Sequence, residues 1–291
     1  LNLSKEQVLG GLSVYNPNYN FTDRAVSAGL NVSETDRTDS SGFKSSVTKL
    51  NLGTVFEQYQ NVWFSPELKL TFEDVEVETT ANTSIKKMEG NFINLDFVYG
   101  VTLDKRDQSF KPTEGYRVKF IQTLPVLQDS SAFLNGLDVS KYHDFSDDII
   151  GSLKFHGRAI LGVDEDVRLT NRLYIPRKHL RGFDTYKVGP RDGEDYIGGN
   201  YVTALSAEAQ LPNLLPESYK TDIALFMDTA NIWGVDYTST INETNKIRSS
   251  IGVGANVFTA LGPLNFVLAQ SLTKSSEDET QTFNFQLGTS F

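Results

Sequence analysis

Residues 92–104 read FINLDFVYGVTLD. Ile93, Leu95, Phe97, Tyr99, Val101 and Leu103 fall on one face of an extended chain, and Asn94, Asp96, Val98, Gly100, Thr102 and Asp104 on the other. Side chains on a strand alternate between two faces, so this pattern is that of a β-strand with one apolar side. The same period recurs. In 62–73, Phe64, Leu68, Leu70 and Phe72 oppose Glu67, Lys69 and Glu73; in 149–163, Leu153, Phe155, Ala159, Leu161 and Val163 oppose Lys154, His156 and Arg158. In 247–257, Ile247, Ile251, Val253, Ala255 and Val257 oppose Arg248, Ser250, Gly252, Gly254 and Asn256. The final stretch sets Phe283, Phe285, Leu287 and Phe291 against Asn284, Gln286, Gly288 and Ser290.

About thirteen such segments are read, starting near residues 8, 24, 43, 62, 91, 115, 136, 149, 200, 219, 247, 263 and 281. Those near 8, 43 and 136 are weakly patterned. Turn signals separate them: NPN at 16–18, SSG at 40–42, PTEG at 112–115 and LGP at 261–263. No helical period is found. The polar faces mix glycine, small residues and both charge signs, while the apolar faces turn aromatic near strand ends. That predicts an all-β, antiparallel transmembrane β-barrel with lipid outside, its rival being a soluble sandwich. The terminal Phe291, closing an alternating aromatic strand, looks like the C-terminal recognition strand of bacterial outer-membrane proteins. Tyr219 and Phe283 read as interface anchors.

Composition removes other classes. With no cysteine there is neither a disulfide framework nor a thiolate metal site. The three histidines, His143, His156 and His179, lack ligand spacing, so no metal site is expected. Twenty-seven basic against thirty-seven acidic residues give a net charge of −10, which argues against a nucleic-acid partner. No apolar run is long enough for a transmembrane helix, which leaves strands as the only spanning elements. The chain begins at Leu1 with no signal-peptide pattern, as expected of a processed protein or a piece of a longer one. No serine stands beside a histidine in a recognisable nucleophile motif, so no enzyme is read.

Residues 164–199 form the longest predicted connection. Its core, RKHLRGFDTYKVGPRDGEDYIGGN at 177–200, is too polar for a wall and carries order signals in Pro176, Gly182, Gly189-Pro190 and Gly198-Gly199. A loop folding into the barrel needs partners for its charge. The alternation points Glu208 inward on the strand from 200, with Val202, Ala204, Ser206 and Gln210. It points Asp228 inward on the strand from 219, with Asp222, Ala224 and Phe226. Neighbouring strands lie about 5 Å apart, so one guanidinium can bridge both acids. Arg181 is the candidate, Gly182 permits a close approach, and Phe183 fills an apolar notch.

At these residues the chain resembles the outer-membrane-protein insertase superfamily, in the C-terminal barrel of its assembly-factor branch. The resemblance rests on LRGF at 180–183, GPRD at 189–192, GGN at 198–200, LFMDTANIW at 225–233, DKRDQSFKPTEGYRV at 104–118, LGPLNFVLAQSL at 261–272 and the ending QTFNFQLGTSF. It runs from about residue 10 to the end and rests on the order and spacing of these motifs together. It implies that 1–291 are the C-terminal barrel domain, whose barrel has sixteen strands in the family, with 164–199 folded into the lumen and Arg181 on Glu208 and Asp228. It also implies a lateral seam at the last strand (Phe283, Phe285, Leu287, Phe291). Asp104, Arg106, Asp107, Pro112 and Gly115 form a turn motif, read as stabilising its strand end rather than holding metal. The segment LGGLSVYNPNYN at 9–20 aligns near the family's fourth strand, so the first strands and the upstream POTRA domains are expected to lie outside this chain.

The implied function is that of an outer-membrane insertase subunit that folds β-barrel proteins by templating their strands. The implied partners are unfolded outer-membrane clients, accessory lipoproteins, the lipid bilayer and lipopolysaccharide, and no cofactor is implied. Translocation-assembly and two-partner secretion barrels are the alternatives inside the superfamily, and GPRD with GGN favours the assembly branch. A passive porin is the reading outside it, and it has no need of the Arg-Gly-Phe loop.

Overall fold

The computed structural model describes residues 2–3, 7–80, 83–86, 88–128, 132–163, 166–236, 241–242, 245–259 and 262–287. Among these residues fourteen strands make one antiparallel sheet in chain order. They are β1 (Asn2–Leu3), β2 (Gln7–Asn16), β3 (Arg24–Arg37), β4 (Phe43–Tyr59), β5 (Val62–Val77), β6 (Gly90–Asp104), β7 (Gly115–Gln128), β8 (Ala132–Ser146) and β9 (Ile149–Gly162), then β12 (Tyr201–Leu211), β13 (Thr221–Trp233), β15 (Arg248–Thr259), β16 (Gly262–Thr273) and β17 (Phe283–Leu287). A second, three-stranded sheet joins β10 (Arg191–Asp192), β11 (Asp195–Tyr196) and β14 (Ile241–Asn242) in the order β11-β10-β14. Among the described residues the helices are single turns, as at Thr38–Ser41 and Thr83–Lys86, and none is long and apolar enough to cross a membrane. Among the described residues no pairing joins the first strands to β17.

The alternation sorts the wall by face. On β6, Ile93 is 54% exposed while Asn94 and Asp96 are buried. On β13, Leu225 and Met227 are exposed while Ala224, Phe226 and Asp228 are buried. Apolar side chains outside and polar ones inside invert the arrangement of a soluble sheet and suit a wall between lipid and a polar lumen.

Antiparallel order places the connections at two ends. The turns at 17–23, 60–61, 105–114, 147–148 and 212–220 share one end, where Tyr15, Tyr59, Trp63, Phe110, Phe145 and Tyr219 are all exposed. That row has the character of an interfacial aromatic girdle. The opposite end carries the long connection from β9 to β12, which runs inside the sheet. Its Leu180, Phe183 and Val188 bury against Val202, Ala204, Ala230 and Ile232 of the wall. Loop and wall share one apolar core there.

Candidate functional site

Arg181 sits where the loop meets β12 and β13. The two strands pair with Ser206 opposite Asp228 and Glu208 opposite Phe226, so Glu208 and Asp228 are inward diagonal neighbours. Arg181 spans them. Its Nη1 donates to Glu208 Oε2 at 2.8 Å, its Nη2 to Asp228 Oδ1 at 2.7 Å and its Nε to Asp228 Oδ2 at 2.8 Å. The Arg181 backbone N–H adds a bond to the same Asp228 oxygen at 3.0 Å. The guanidinium lies over the Phe226 ring, 3.5 Å from its centroid. Burial disfavours the charged guanidinium, but the bonds to Asp228 and the charge of both acids outweigh it and raise its pKa further. Asp228 is 0% exposed, so its charge depends on this partner.

The next residues explain the motif. Gly182 has φ +89, and a Cβ there would stand 2.9 Å from the Ala269 Cβ on β16. Only glycine fits both the conformation and the approach. Its carbonyl accepts from Gln281 N–H at 3.0 Å, and Phe183 makes a bridge to Thr280. Segment 274–282, between β16 and β17, is thereby held against the loop, and Lys187 donates to Glu279 at 3.1 Å.

Further charge pairs hold the loop, and the sequence reading missed them. Arg168 reaches Glu73 of β5 at 3.2 Å. Arg172 bonds Asp236 and, at 3.2 Å, Asn200. Burial works against the Asp236 carboxylate, but the Val167 N–H and the Arg172 charge hold it below the usual carboxylate range. Arg191 meets Glu277 at 2.5 Å. Arg248 of β15, placed on the polar face by alternation, pairs with Asp278 at 2.9 and 3.0 Å, and both side chains are almost fully buried. A surplus of arginine in a loop facing inward acids was the available signal; which acid each one meets was not.

The turn motif is a separate structure at the other end. Asp104 accepts from Arg106 Nε at 2.8 Å and Nη2 at 2.7 Å, and Asp107 caps Thr113 N–H at 3.0 Å and Glu114 N–H at 3.2 Å. Gly115 has φ +91, and a Cβ there would stand 2.1 Å from the Lys105 carbonyl oxygen. Pro112 is buried, and Lys111 beside it reaches Asp222 of β13 at 2.5 Å. In the last strand Phe283 pairs with Leu268, Phe285 with Phe266 and Leu287 with Leu264. The rings of Phe266 and Phe285 lie 5.1 Å apart, and Phe283 and Phe285 are exposed. Phe291 lies outside the described residues.

The histidines depart from the sequence reading, which set all three apart and expected no ligand set. His143 does stand elsewhere, against Phe145. His156 and His179, distant in sequence, stack with ring centroids 4.2 Å apart beside Asp138. Spacing along the chain is no guide when one residue sits on a wall strand and the other on a loop folded against it.

A family model described as the Omp85 superfamily domain matches residues 1–291. The chain belongs to the Omp85 superfamily. It is 30% identical over 232 residues to the outer membrane protein assembly factor BamA of Neorickettsia risticii, covering 76% of this chain and 31% of that protein. It is 30% identical over 139 residues to BamA of Neisseria meningitidis serogroup B, covering 38% of this chain and 17% of that protein. The chain thus spans a third or less of the length of these curated relatives. BamA from Haemophilus ducreyi lacking POTRA domains 1–3 has the same fold, with a TM-score of 0.83 at 18% identity over 96% of this chain and 61% of that one. CdiB from Escherichia coli is more distant, with a TM-score of 0.64 at 11% identity over 96% of this chain and 52% of that one. The Omp85 fold accounts for the antiparallel wall.

Proposed function

We propose that this chain is the barrel region of an outer-membrane insertase subunit, located in the bacterial outer membrane, that folds and inserts β-barrel proteins through a lateral seam. The observation that carries the reading is the loop held inside an Omp85 wall by Arg181 between Glu208 and Asp228. It is supported by the similarity to relatives named outer membrane protein assembly factor. No bond is made or broken in this reading, and the protein is not an enzyme. An unpaired strand edge offers a row of backbone donors and acceptors, which lipid leaves unsatisfied. A client's last strand adds to such an edge by β-augmentation, and the client grows from there. The loop anchor keeps the inner wall in register while the seam exchanges partners. Clients, accessory lipoproteins, the bilayer and lipopolysaccharide are the partners of this reading.

Passive conduction is disfavoured because the loop occupies the lumen against β12 and β13. The test is reconstitution of the full-length protein in vesicles with an unfolded outer-membrane client. The expected result is a folded client, seen as heat-modifiable gel mobility above the rate in empty vesicles. Ion conductance without any gain in client folding overturns the reading in favour of a pore.

A further inference from the structure

One cluster of ligating side chains stands apart from the Arg181 anchor. Asp138 on β8 and His156 on β9 are directly paired, and His156 Nδ1 lies 2.7 Å from Asp138 Oδ1. His156 is 6% exposed, while the Asp138 side chain keeps 35% of its surface open. The single turn Arg177–His179 brings His179 onto this pair, its ring 19° from parallel with that of His156. One ligand atom from each of the three residues lies within 4.8 Å of the others. The second Asp138 oxygen accepts from Arg158 Nη2 at 2.6 Å. Among the described residues no hydrogen bond reaches the ring nitrogens of His179.

We propose that Asp138, His156 and His179 form a binding site for a divalent transition-metal ion of the zinc, cobalt or nickel class. Two imidazole nitrogens and one carboxylate oxygen suit these ions, whereas magnesium and calcium prefer all-oxygen shells. Ligands at about 2.0–2.1 Å on neighbouring positions of one ion stand roughly 3 Å apart. The separation of His156 Nδ1 and Asp138 Oδ1 is close to that, so an ion replaces the proton they share. Stacked rings aim their lone pairs side by side, so His179 completes the set by turning about its Cβ–Cγ bond, with no hydrogen bond to lose. Lys178, next to His179, and Arg158 are the adverse charges, and Arg158 is the one that touches a ligand. Arg158 grips the carboxylate oxygen that the ion leaves unused and orients the ligand, as outer-shell partners do. Water from the lumen fills the open positions. An ion held here ties the loop to β8 and β9 two residues before Arg181 ties it to β12 and β13.

The full-length protein, folded in detergent and stripped of metal, is titrated with zinc and separately with cobalt. One ion per chain is expected, with a visible cobalt absorption band. His179→Gln weakens binding by roughly tenfold or more, in line with loss of a ligating group, and removes the cobalt band. His143→Gln, in a separate exposed group with Glu114 and Asp144, leaves both unchanged. Zinc slows loop proteolysis in the unaltered protein and not in His179→Gln. Because His156 is part of the wall, the loop variant carries the test, and heat-modifiable mobility verifies that it has folded. Absence of binding in the micromolar range, equal affinity in His179→Gln, or loss of binding in His143→Gln each overturns the proposal.

Discussion

Strands β12 to β16 and strands β2 and β3 carry the same outward apolar row, yet their inner faces meet different things. On β12, Val202, Ala204 and Ser206 are buried where the loop lies against the wall, and on β15 so are Arg248, against Asp278, and Ser250, beside Gly182. On β2 the inner face is as exposed as the outer. Beside the start of the loop, which docks on β5 through Arg168 and Glu73, there remains a cavity of about 280 Å³, lined by Ser33, Thr35, Lys49, Lys69 and Asn94 among others. One alternation therefore builds two kinds of wall. Where the loop docks, charges are desolvated and must be paired; where it does not, polar side chains face an open polar space and their pairing is optional.

Breaking a docked charge pair should do the most damage. Arg181→Ala leaves Asp228, which is 0% exposed, without its guanidinium. A buried pair broken on one side typically costs about 3–5 kcal/mol, and water in the lumen lowers that figure. The expected outcome is a loop open to protease and a barrel that assembles poorly, read by loss of heat-modifiable mobility. Arg248→Ala should act alike, since Arg248 and Asp278 are as deeply buried as Asp228. Unchanged mobility and unchanged loop proteolysis in both variants would mean that the docked side is no tighter than the open one.

Gly182→Val tests the same contact through shape instead of charge. The new side chain combines φ +89 with a Cβ 2.9 Å from Ala269. A β-branched residue forced into that conformation costs of order 1–3 kcal/mol, before any displacement of β16. Arg181 stays in place, so a partial loosening of the loop is expected, below that of Arg181→Ala. A loss equal to that of Arg181→Ala would mean that the close approach, not the charge, sets the depth of docking.

Much of this contrast was legible in the residues, for a physical reason. A wall between lipid and a polar lumen repeats every second residue, and the expected starts near 24, 43, 62, 115 and 149 coincide with β3, β4, β5, β7 and β9. The start near 136 falls inside β8, which begins at Ala132, because Asn135 and Gly136 interrupt its apolar row. The start near 219 is early by two residues, because Glu217–Tyr219 coil into a single turn before β13. Glu208 and Asp228 were readable as inward neighbours because strand period and strand spacing fix both. Arg168 with Glu73, Arg248 with Asp278 and His156 with His179 were not. Each needs the path of a loop that has no period, and that path is set by packing between segments up to 95 residues apart.

The open side offers the smallest expected effect and the sharpest control. Asn31 of β3 and Asn51 of β4 are diagonal neighbours, and Asn31 Nδ2 donates to Asn51 Oδ1 at a long 3.4 Å, half-buried. Water in the adjoining space can replace either partner, so Asn31→Ala should change stability by no more than about 0.5 kcal/mol, as surface substitutions do. Denaturant unfolding in detergent, followed by gel mobility, measures this against Arg181→Ala under the same conditions. A small loss keeps the two walls distinct. A loss comparable to that of Arg181→Ala would show that β2 and β3 depend on their inner polar contacts as strongly as β12 to β16 depend on the loop, and the exposure of their inner face would then no longer measure how tightly that side of the wall is held.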